Sequence, residues 1–379
     1  MAHSDTAVTG TSPLLGEHQA LGASFTDFAG WQMPLKYSSE LAEHHAVRNA
    51  VGLFDLSHMG EIDVSGADAA ALLDYALVGE LSKVAVGKAK YSLICDSEGG
   101  VIDDLVIYRL AEDHFLVVAN AANHQVVHQQ ISSRAADFDV TVADKSAQTA
   151  LIAVQGPKSQ DVVSSLVAED HRRLVADLKY YASTPAVVAG IDVLLARTGY
   201  TGEDGFELYV PNEQAARLWS ELLDAATKHG GCAAGLACRD TLRLEAGMAL
   251  YGHELTMDIN PYEAGLGKVV RLHRGNDRGF VGREALQSLS AQPVSRVLVG
   301  LRGEGRRAAR ADYPVCDAAG ETVVGTVTSG ALSPTLGYPI ALAYVDAALA
   351  EPGTELTVDV RGRKEPFVVV QSPFYRRGD

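Results

Sequence analysis

Cysteine is scarce in this chain, with four in 379 residues: Cys95, Cys232, Cys238 and Cys316. That is too few to staple a fold of this length, and no pair has C-x-x-C spacing, so neither a disulfide framework nor a zinc or dithiol motif is expected. A reducing compartment follows. No apolar run approaches the roughly 20 residues of a membrane-spanning helix. Residues Met1 to Ser12 hold no Lys, Arg or apolar stretch, so no leader peptide is expected and the cytoplasm is the expected location. Positive charge is also short, 32 Lys and Arg against 48 Asp and Glu, for a net charge of −16. A field of that sign repels phosphate backbones and anionic lipid heads, which argues against nucleic acid and membrane as partners.

Several catalytic signatures are missing as well. There is no G-x-x-x-x-G-K-[ST] loop to cradle a phosphate and no G-x-S-x-G nucleophile elbow. The Gly303-Glu304-Gly305 stretch lies in a β-rich tail, not between a strand and a helix, so neither a dinucleotide fold nor a flavin is expected. His124 and His128 are spaced i, i+4 on a predicted helix. They lack a third ligand nearby, and no metal is assigned.

What remains is globular. Hydrophobic residues make up 47% and charged residues 21%. The length exceeds the roughly 250–300 residues at which one core usually divides, so two or three domains are expected. Helical spacing predicts helices over Tyr37 to Val51 with Ser38 and Ser39 as cap candidates, over Gly66 to Leu77, over Asn123 to Arg134 and over Arg239 to Leu250. The clearest helix begins after Asn212, with Leu218, Trp219, Leu222, Leu223 and Ala226 on one face and Gly230-Gly231 at its end. Tyr91 to Cys95 and Val101 to Leu110 read as a hairpin across Ser97 to Gly100. Beyond the loop from Arg274 to Gly279 only Glu284 to Leu289 reads as helix, and Arg296 to Val370 is almost all strand candidates, which predicts an all-β C-terminal domain.

Three segments carry candidate chemistry. Asp103 and Asp104 interrupt a run of strand formers that disfavours aspartate. Strand alternation places Asp104 on the face of Val106 and Tyr108, and Asp103 on that of Leu105. A solvated edge and an interior functional carboxylate both fit this pattern. In Arg197 to Leu208, three glycines permit a tight turn with backbone close to a ligand. Glu207 in the following strand could pair bidentately with a heterocycle's amino and ring N–H groups, or simply with an arginine. Of Arg239, Asp240, Arg243 and Glu245 on one helix, most fit ordinary surface charge; Arg239 at the helix start stands apart.

A resemblance then joins these pieces. Asp27-Phe28-Ala29-Gly30-Trp31-Gln32-Met33-Pro34-Leu35, Phe54-Asp55-Leu56-Ser57-His58-Met59-Gly60 and Gly99 to Leu105 occur in order. They are followed by Arg197 to Leu208, Gly235-Leu236-Ala237-Cys238-Arg239-Asp240, Thr328-Ser329-Gly330, Ser333 to Gly337, and Pro373-Phe374-Tyr375-Arg376. Together they resemble the T-protein (aminomethyltransferase) family of the glycine cleavage system, over almost the whole chain.

The resemblance implies an α+β fold of three domains in a cloverleaf around a central folate cavity, the third a barrel-like β domain. The implied boundaries are 1–55 with 145–280, then 56–144, then 281–379. It also implies transfer of the methylene carbon of an aminomethyl group, carried on the lipoyl arm of the H-protein, to tetrahydrofolate. The products are 5,10-methylenetetrahydrofolate, ammonia and the dihydrolipoyl H-protein. By matching motif, Asp104 is the catalytic carboxylate, steering proton transfers and stabilising a developing cation near the folate nitrogens. Glu207 and Arg239 would hold the folate, with Tyr91, Asn120, Tyr200, Met59 and Tyr375 lining its cavity. Arg302, Arg306, Arg307 and Arg310, the densest basic cluster, are candidates for docking the acidic H-protein. A folate-dependent demethylase and a non-enzymatic folate-binding accessory protein share this architecture and are the alternatives.

Overall fold

The computed structural model describes residues 10–274 and 278–378. Most of the segment behind the leader-peptide expectation, and residues 275–277 of the Arg274 to Gly279 loop, lie outside the described residues. The chain falls into two compact units. The first comprises the described residues of Met1–Ala70, Val84–Lys90 and Val106–Asp240; the second comprises those of Ala71–Lys83, Tyr91–Leu105 and Thr241–Asp379.

The first unit is built on a six-stranded sheet in the order Ser183–Val188, Ile191–Ala196, Gly205–Pro211, Thr149–Gln155, Gly52–Asp55, Cys232–Ala233. Thr149–Gln155 pairs antiparallel with Gly52–Asp55 on one side and Gly205–Pro211 on the other, so segments about a hundred residues apart share one ladder. One face of this sheet is closed by the helix Asn212–Lys228, which buries Leu218, Trp219 and Leu222 against Phe206, Leu208 and Val210. Each such side chain taken from water contributes roughly 1.5–3 kcal/mol, which is why the apolar stripe read from the sequence is the face this helix buries. The strand's alternate residues, Glu207 and Tyr209, are left for the other face.

The predicted helix over Tyr37 to Val51 runs from Glu40 to Asn49, and Ser39 is its cap, accepting from the Ala42 N–H. The strand Val101–Ala111 belongs to a second sheet, ordered Ala89–Cys95, Val101–Ala111, His114–Ala119, Gly60–Ser65, Thr141–Asp144. A three-stranded sheet formed from Gly10–Thr11, Ser24–Phe28 and Trp31–Lys36 also belongs to the first unit.

The second unit carries a closed barrel in the order Arg296–Gly303, Pro339–Asp346, Val323–Leu332, Pro314–Cys316, Glu355–Asp359, Lys364–Val370, the last pairing back onto the first. Val299, Leu301, Val327, Ala343, Val358 and Phe367 fill its interior, the inward half of a period-two pattern. The expected α+β class and all-β C-terminal part are thus present.

The helix expected over Arg239 to Leu250 is shorter, Leu236–Glu245. It stops because Gly247 adopts φ +66°, a left-handed position that ends helices. The surface-charge reading of Arg243 and Glu245 is overturned, since both are fully buried. Arg243 pairs with Glu254 at 2.9 Å and donates to Ser329 at 2.7 Å. Glu245 accepts from Ser333 Oγ at 2.5 Å and from the Thr335 N–H and hydroxyl. The Thr328 to Gly330 and Ser333 to Gly337 segments therefore satisfy buried charges, a contact made by long-range folding that helical spacing cannot reveal.

Candidate functional site

In the second unit, Asp103 and Asp104 lie near the start of the strand Val101–Ala111, next to Ala89–Cys95 in the sheet order. The solvated reading fails for Asp103. Asp103 is wholly buried, whereas Asp104 is half-buried, as alternation requires. Tyr91 on the neighbouring strand donates its hydroxyl to Asp104 Oδ2 at 3.0 Å. Tyr251, which the sequence did not single out, donates to the Val101 carbonyl at 3.2 Å. Burial first, and then the charges of Asp103 and Asp104, push its phenol up to about 12. Asp104 is thus a strand carboxylate held by the Tyr91 hydroxyl, with the Tyr251 phenol, protonated at neutral pH, close by. Tyr375, also half-buried, is tied by its backbone N–H to the Glu245 carbonyl at 2.8 Å.

In the first unit, Glu207 lies mid-strand between Ala153 and Ala196 in the two adjoining ladders. These small neighbours leave room beside its carboxylate. Thr198 donates to Oε2 at 2.5 Å and Tyr108 approaches the same oxygen at 3.3 Å, while the Tyr108 and Thr198 oxygens are 2.9 Å apart. Tyr209 donates to the Tyr108 hydroxyl at 3.4 Å, and the two rings meet edge-on. The other carboxylate oxygen, Oε1, accepts no hydrogen bond from the described residues. Burial raises the Glu207 pKa, while Thr198, Arg239 and Tyr108 pull it back.

Arg239 stacks over the Tyr200 ring, its guanidinium carbon 4.9 Å from the centroid. Both side chains are half-buried. Among the described residues the Arg239 guanidinium makes no hydrogen bond or ion pair, although it bears electrostatically on Glu207 and His58. A direct Glu207–arginine ion pair, the structural alternative weighed from sequence, is absent among the described residues. The chemistry left open is a carboxylate oxygen and a five-donor cation, both partly desolvated, which suits a polar heterocycle carrying donors and acceptors. His58 is buried, and burial drives its pKa to about 4, opposed by Asp55 and reinforced by Arg239. It is therefore neutral at physiological pH. Met59 and Asn120 are half-buried side by side at the same end of the antiparallel strand pair Gly60–Ser65 and His114–Ala119, where Gly60 faces Ala119.

Of the glycines of Arg197 to Leu208, Gly202 takes the left-handed turn position, φ +80°, while Gly199 and Gly205 serve a further purpose. A Cβ on Gly199 would lie 2.0 Å, and one on Gly205 2.2 Å, from the amide of Gln155. That buried amide donates to the Thr198 carbonyl and accepts from Thr201 Oγ1. The glycines make room for a glutamine that pins the loop bearing Thr198. Sequence reasoning missed Gln155, Thr198 and Tyr209. Only Tyr108 had a signal, its shared strand face with Asp104.

The basic cluster divides. Arg307 and Arg310 join Arg361, Arg363 and Tyr313 around a surface cavity of about 460 Å³ at one end of the barrel, while Arg302 and Arg306 are exposed outside its lining. Among the described residues no group of three or more His, Cys, Asp or Glu is arranged to hold a metal ion. No described helix is long and apolar enough to cross a membrane.

A mixed α+β body and a closed six-stranded barrel, with a partly desolvated acid and guanidinium open to a polar heterocycle, define an α+β ligand-binding protein. Residues 14–274 match the family model described as the GCVT N-terminal domain, and residues 296–376 match the glycine cleavage T-protein C-terminal barrel domain. The aminomethyltransferase of Cutibacterium acnes is 57% identical over 97% of this chain and 98% of its own. That of Streptomyces avermitilis is 57% identical over 95% and 96%. The crystal structure of the glycine cleavage system aminomethyltransferase T from Bartonella henselae superposes with a TM-score of 0.88 at 36% identity, covering 98% of this chain and 99% of that one. The chain belongs to the glycine cleavage T-protein family. It is an enzyme, an aminomethyltransferase.

Proposed function

We propose that this enzyme takes the methylene carbon of an aminomethyl group on lipoylated H-protein and delivers it to tetrahydrofolate, in the cytoplasm. What supports the folate is the free Oε1 of Glu207 together with the unbonded guanidinium of Arg239 stacked on Tyr200. A reduced pterin offers an amino group and ring N–H donors to the first, and acceptor atoms to the second. Tetrahydrofolate, when bound, supplies the nitrogen that accepts the carbon. In this reading Glu207 and Arg239 fix the ring's orientation, and Tyr200, Tyr91, Asn120, Met59 and Tyr375 line the space around it. Asp104 accepts or returns the proton that moves as the carbon changes nitrogen, with Tyr91 holding its carboxylate in place. The acidic H-protein would dock on arginines at the barrel, Arg307 and Arg310 being reinforced by Arg361 and Arg363 around one cavity. The division into domains 1–55 with 145–280, 56–144 and 281–379 is part of the same reading. It is supported by the ladder joining Gly52–Asp55 to Thr149–Gln155 and by a barrel that begins at Arg296.

The test is ammonia release by the purified protein with aminomethylated H-protein, with and without tetrahydrofolate. Release that depends on the folate and collapses in Asp104→Asn supports the assignment. Release that ignores the folate, or saturable folate binding with transfer only from methylated donors, overturns it in favour of another chemistry.

A further inference from the structure

Within the first unit, the strand Gly60–Ser65 turns Ile62 and Val64 one way and Glu61 and Asp63 the other. The first face meets the helix His124–Arg134, since a Cβ on Gly60 would lie 2.3 Å from that of His124. On the second face the ladders set Glu61 beside Val118 and Val106, and Asp63 beside Leu116 and Tyr108. Tyr108 meets Tyr209 edge-on, ring centroids 5.7 Å apart. Glu61, Tyr108, Tyr209 and Glu207 therefore share the space between two sheets.

Glu61 is 0% exposed, and among the described residues neither of its carboxylate oxygens has a hydrogen-bond partner. An ionised carboxylate in that position would be an uncompensated buried charge, costing several kcal/mol; a carboxylic acid would not. Its titratable surroundings reinforce this. Asp144, from the strand Thr141–Asp144, is held ionised against the effect of burial by the Ser146 hydroxyl and N–H, aided by His124 and His128. From Gly205–Pro211 come Tyr209 and Glu207, and from Val101–Ala111 comes Tyr108. Asp63, on Glu61's own strand, is occupied by His114 at 2.5 Å. No cation faces Glu61 in this set. Burial and then the Asp144 charge raise its pKa well above the ordinary value, and its charge in turn bears on the Tyr209 phenol.

We propose that Glu61 is a positioning residue for Glu207: it stores one proton between the sheets and so keeps the hydroxyls of Tyr209 and Tyr108 directed along the line that ends at the Glu207 carboxylate. Were Glu61 to lose that proton, its negative charge would draw the Tyr209 hydroxyl away from Tyr108 and remove support from Glu207. The proposal rests on the reading of Glu207 as a ligand-binding carboxylate.

Carboxyl-carbon NMR of the full chain labelled in glutamate tests the proton storage without any ligand. The resonance missing in Glu61→Gln assigns Glu61. It is expected to hold its protonated position at neutral pH, and its midpoint should fall in Glu207→Gln. Ionisation in the ordinary carboxylate range, or a midpoint indifferent to Glu207→Gln, overturns the idea. Affinity for 5-formyltetrahydrofolate across pH then tests the positioning. The wild type should weaken severalfold as Glu61 ionises, while Glu61→Gln matches it at neutral pH and stays flat above. Tyr209→Phe, which cuts the hydroxyl line without touching Glu61, should also lose the alkaline limb. Parallel pH profiles in all three sink the positioning role. Absence of folate binding by a wild type that passes the NMR test would instead refute the folate reading.

Discussion

Tyr91 donates its hydroxyl to Oδ2 of Asp104 at 3.0 Å across adjacent strands, so the carboxylate is oriented before any substrate arrives. Losing a positioned proton-transfer group costs about 10²–10⁴-fold in rate. Asp104→Asn should therefore lose turnover on that scale while binding reduced folate almost as the wild type does. Tyr91→Phe removes one hydrogen bond of about 0.5–1.5 kcal/mol, so kcat should fall only roughly twofold to tenfold. Steady-state kinetics of the two variants with separate folate titrations would decide this, and wild-type turnover in Asp104→Asn would falsify the role.

Glu207→Gln keeps the shape but removes the charge that would meet the pterin donors. Arg239→Lys replaces a planar fork stacked on Tyr200 with a point charge. Charge-assisted hydrogen bonds contribute about 1.5–3 kcal/mol each, so either change should weaken tetrahydrofolate binding roughly 10- to 100-fold. Calorimetric titration reads this directly, and unaltered affinity in both variants would remove these residues from the site.

The second unit leans on a buried charge network. Glu254→Gln removes the carboxylate charge that pairs with buried Arg243 at 2.9 Å. Removing one member of such a pair costs about 3–5 kcal/mol, so urea or thermal unfolding should show a large loss. Replacing both, as in Arg243→Met with Glu254→Leu, should cost less than Glu254→Gln alone. The opposite order would mean that the pair is not what Arg243 depends on.

Two buried groups set opposite pH limbs of stability. His58 has a folded pKa of about 4, below its ordinary 6.5. The unfolded chain therefore takes up the proton first, and stability should fall as pH drops from 6.5 toward 4. Glu61 has a folded pKa well above its ordinary 4.5. Its neutral form is compatible with burial, and the stability it preserves should be lost as pH rises through that folded value. Thermal melts across pH should show Glu61→Gln flattening the alkaline limb and leaving the acid limb in place. An unchanged alkaline limb would contradict the assignment.

Charge reversal of Arg307, Arg310, Arg361 and Arg363 should raise the KM for lipoylated H-protein about tenfold or more at low salt and flatten its salt dependence. The exposed pair Arg302 and Arg306, outside the cavity lining, should matter less. Equal effects from the two sets would mean a diffuse field and no docking site.

The local order was largely legible. Apolar spacing marked the helix Asn212–Lys228, and dense Gly and Pro turns between strand formers marked the barrel. Asp104 and Glu207 were visible because a carboxylate inside a strand conflicts with its neighbours. Gln155, Thr198 and Tyr209 were not, because each is an ordinary residue type where it stands. Their importance comes from what lies opposite.

Periodicity and turn chemistry are properties of neighbours along the chain, so the sequence by itself determined the elements, the β character of the C-terminal part and the two anomalous carboxylates. Pairing Gly52–Asp55 with Thr149–Gln155 and burying Arg243 and Glu245 among barrel residues were decided only in three dimensions. So was the threading of Gln155 between two glycines. A desolvated polar group must find its partner wherever the folded chain brings one within about 3 Å, and one-dimensional spacing holds no record of that distance.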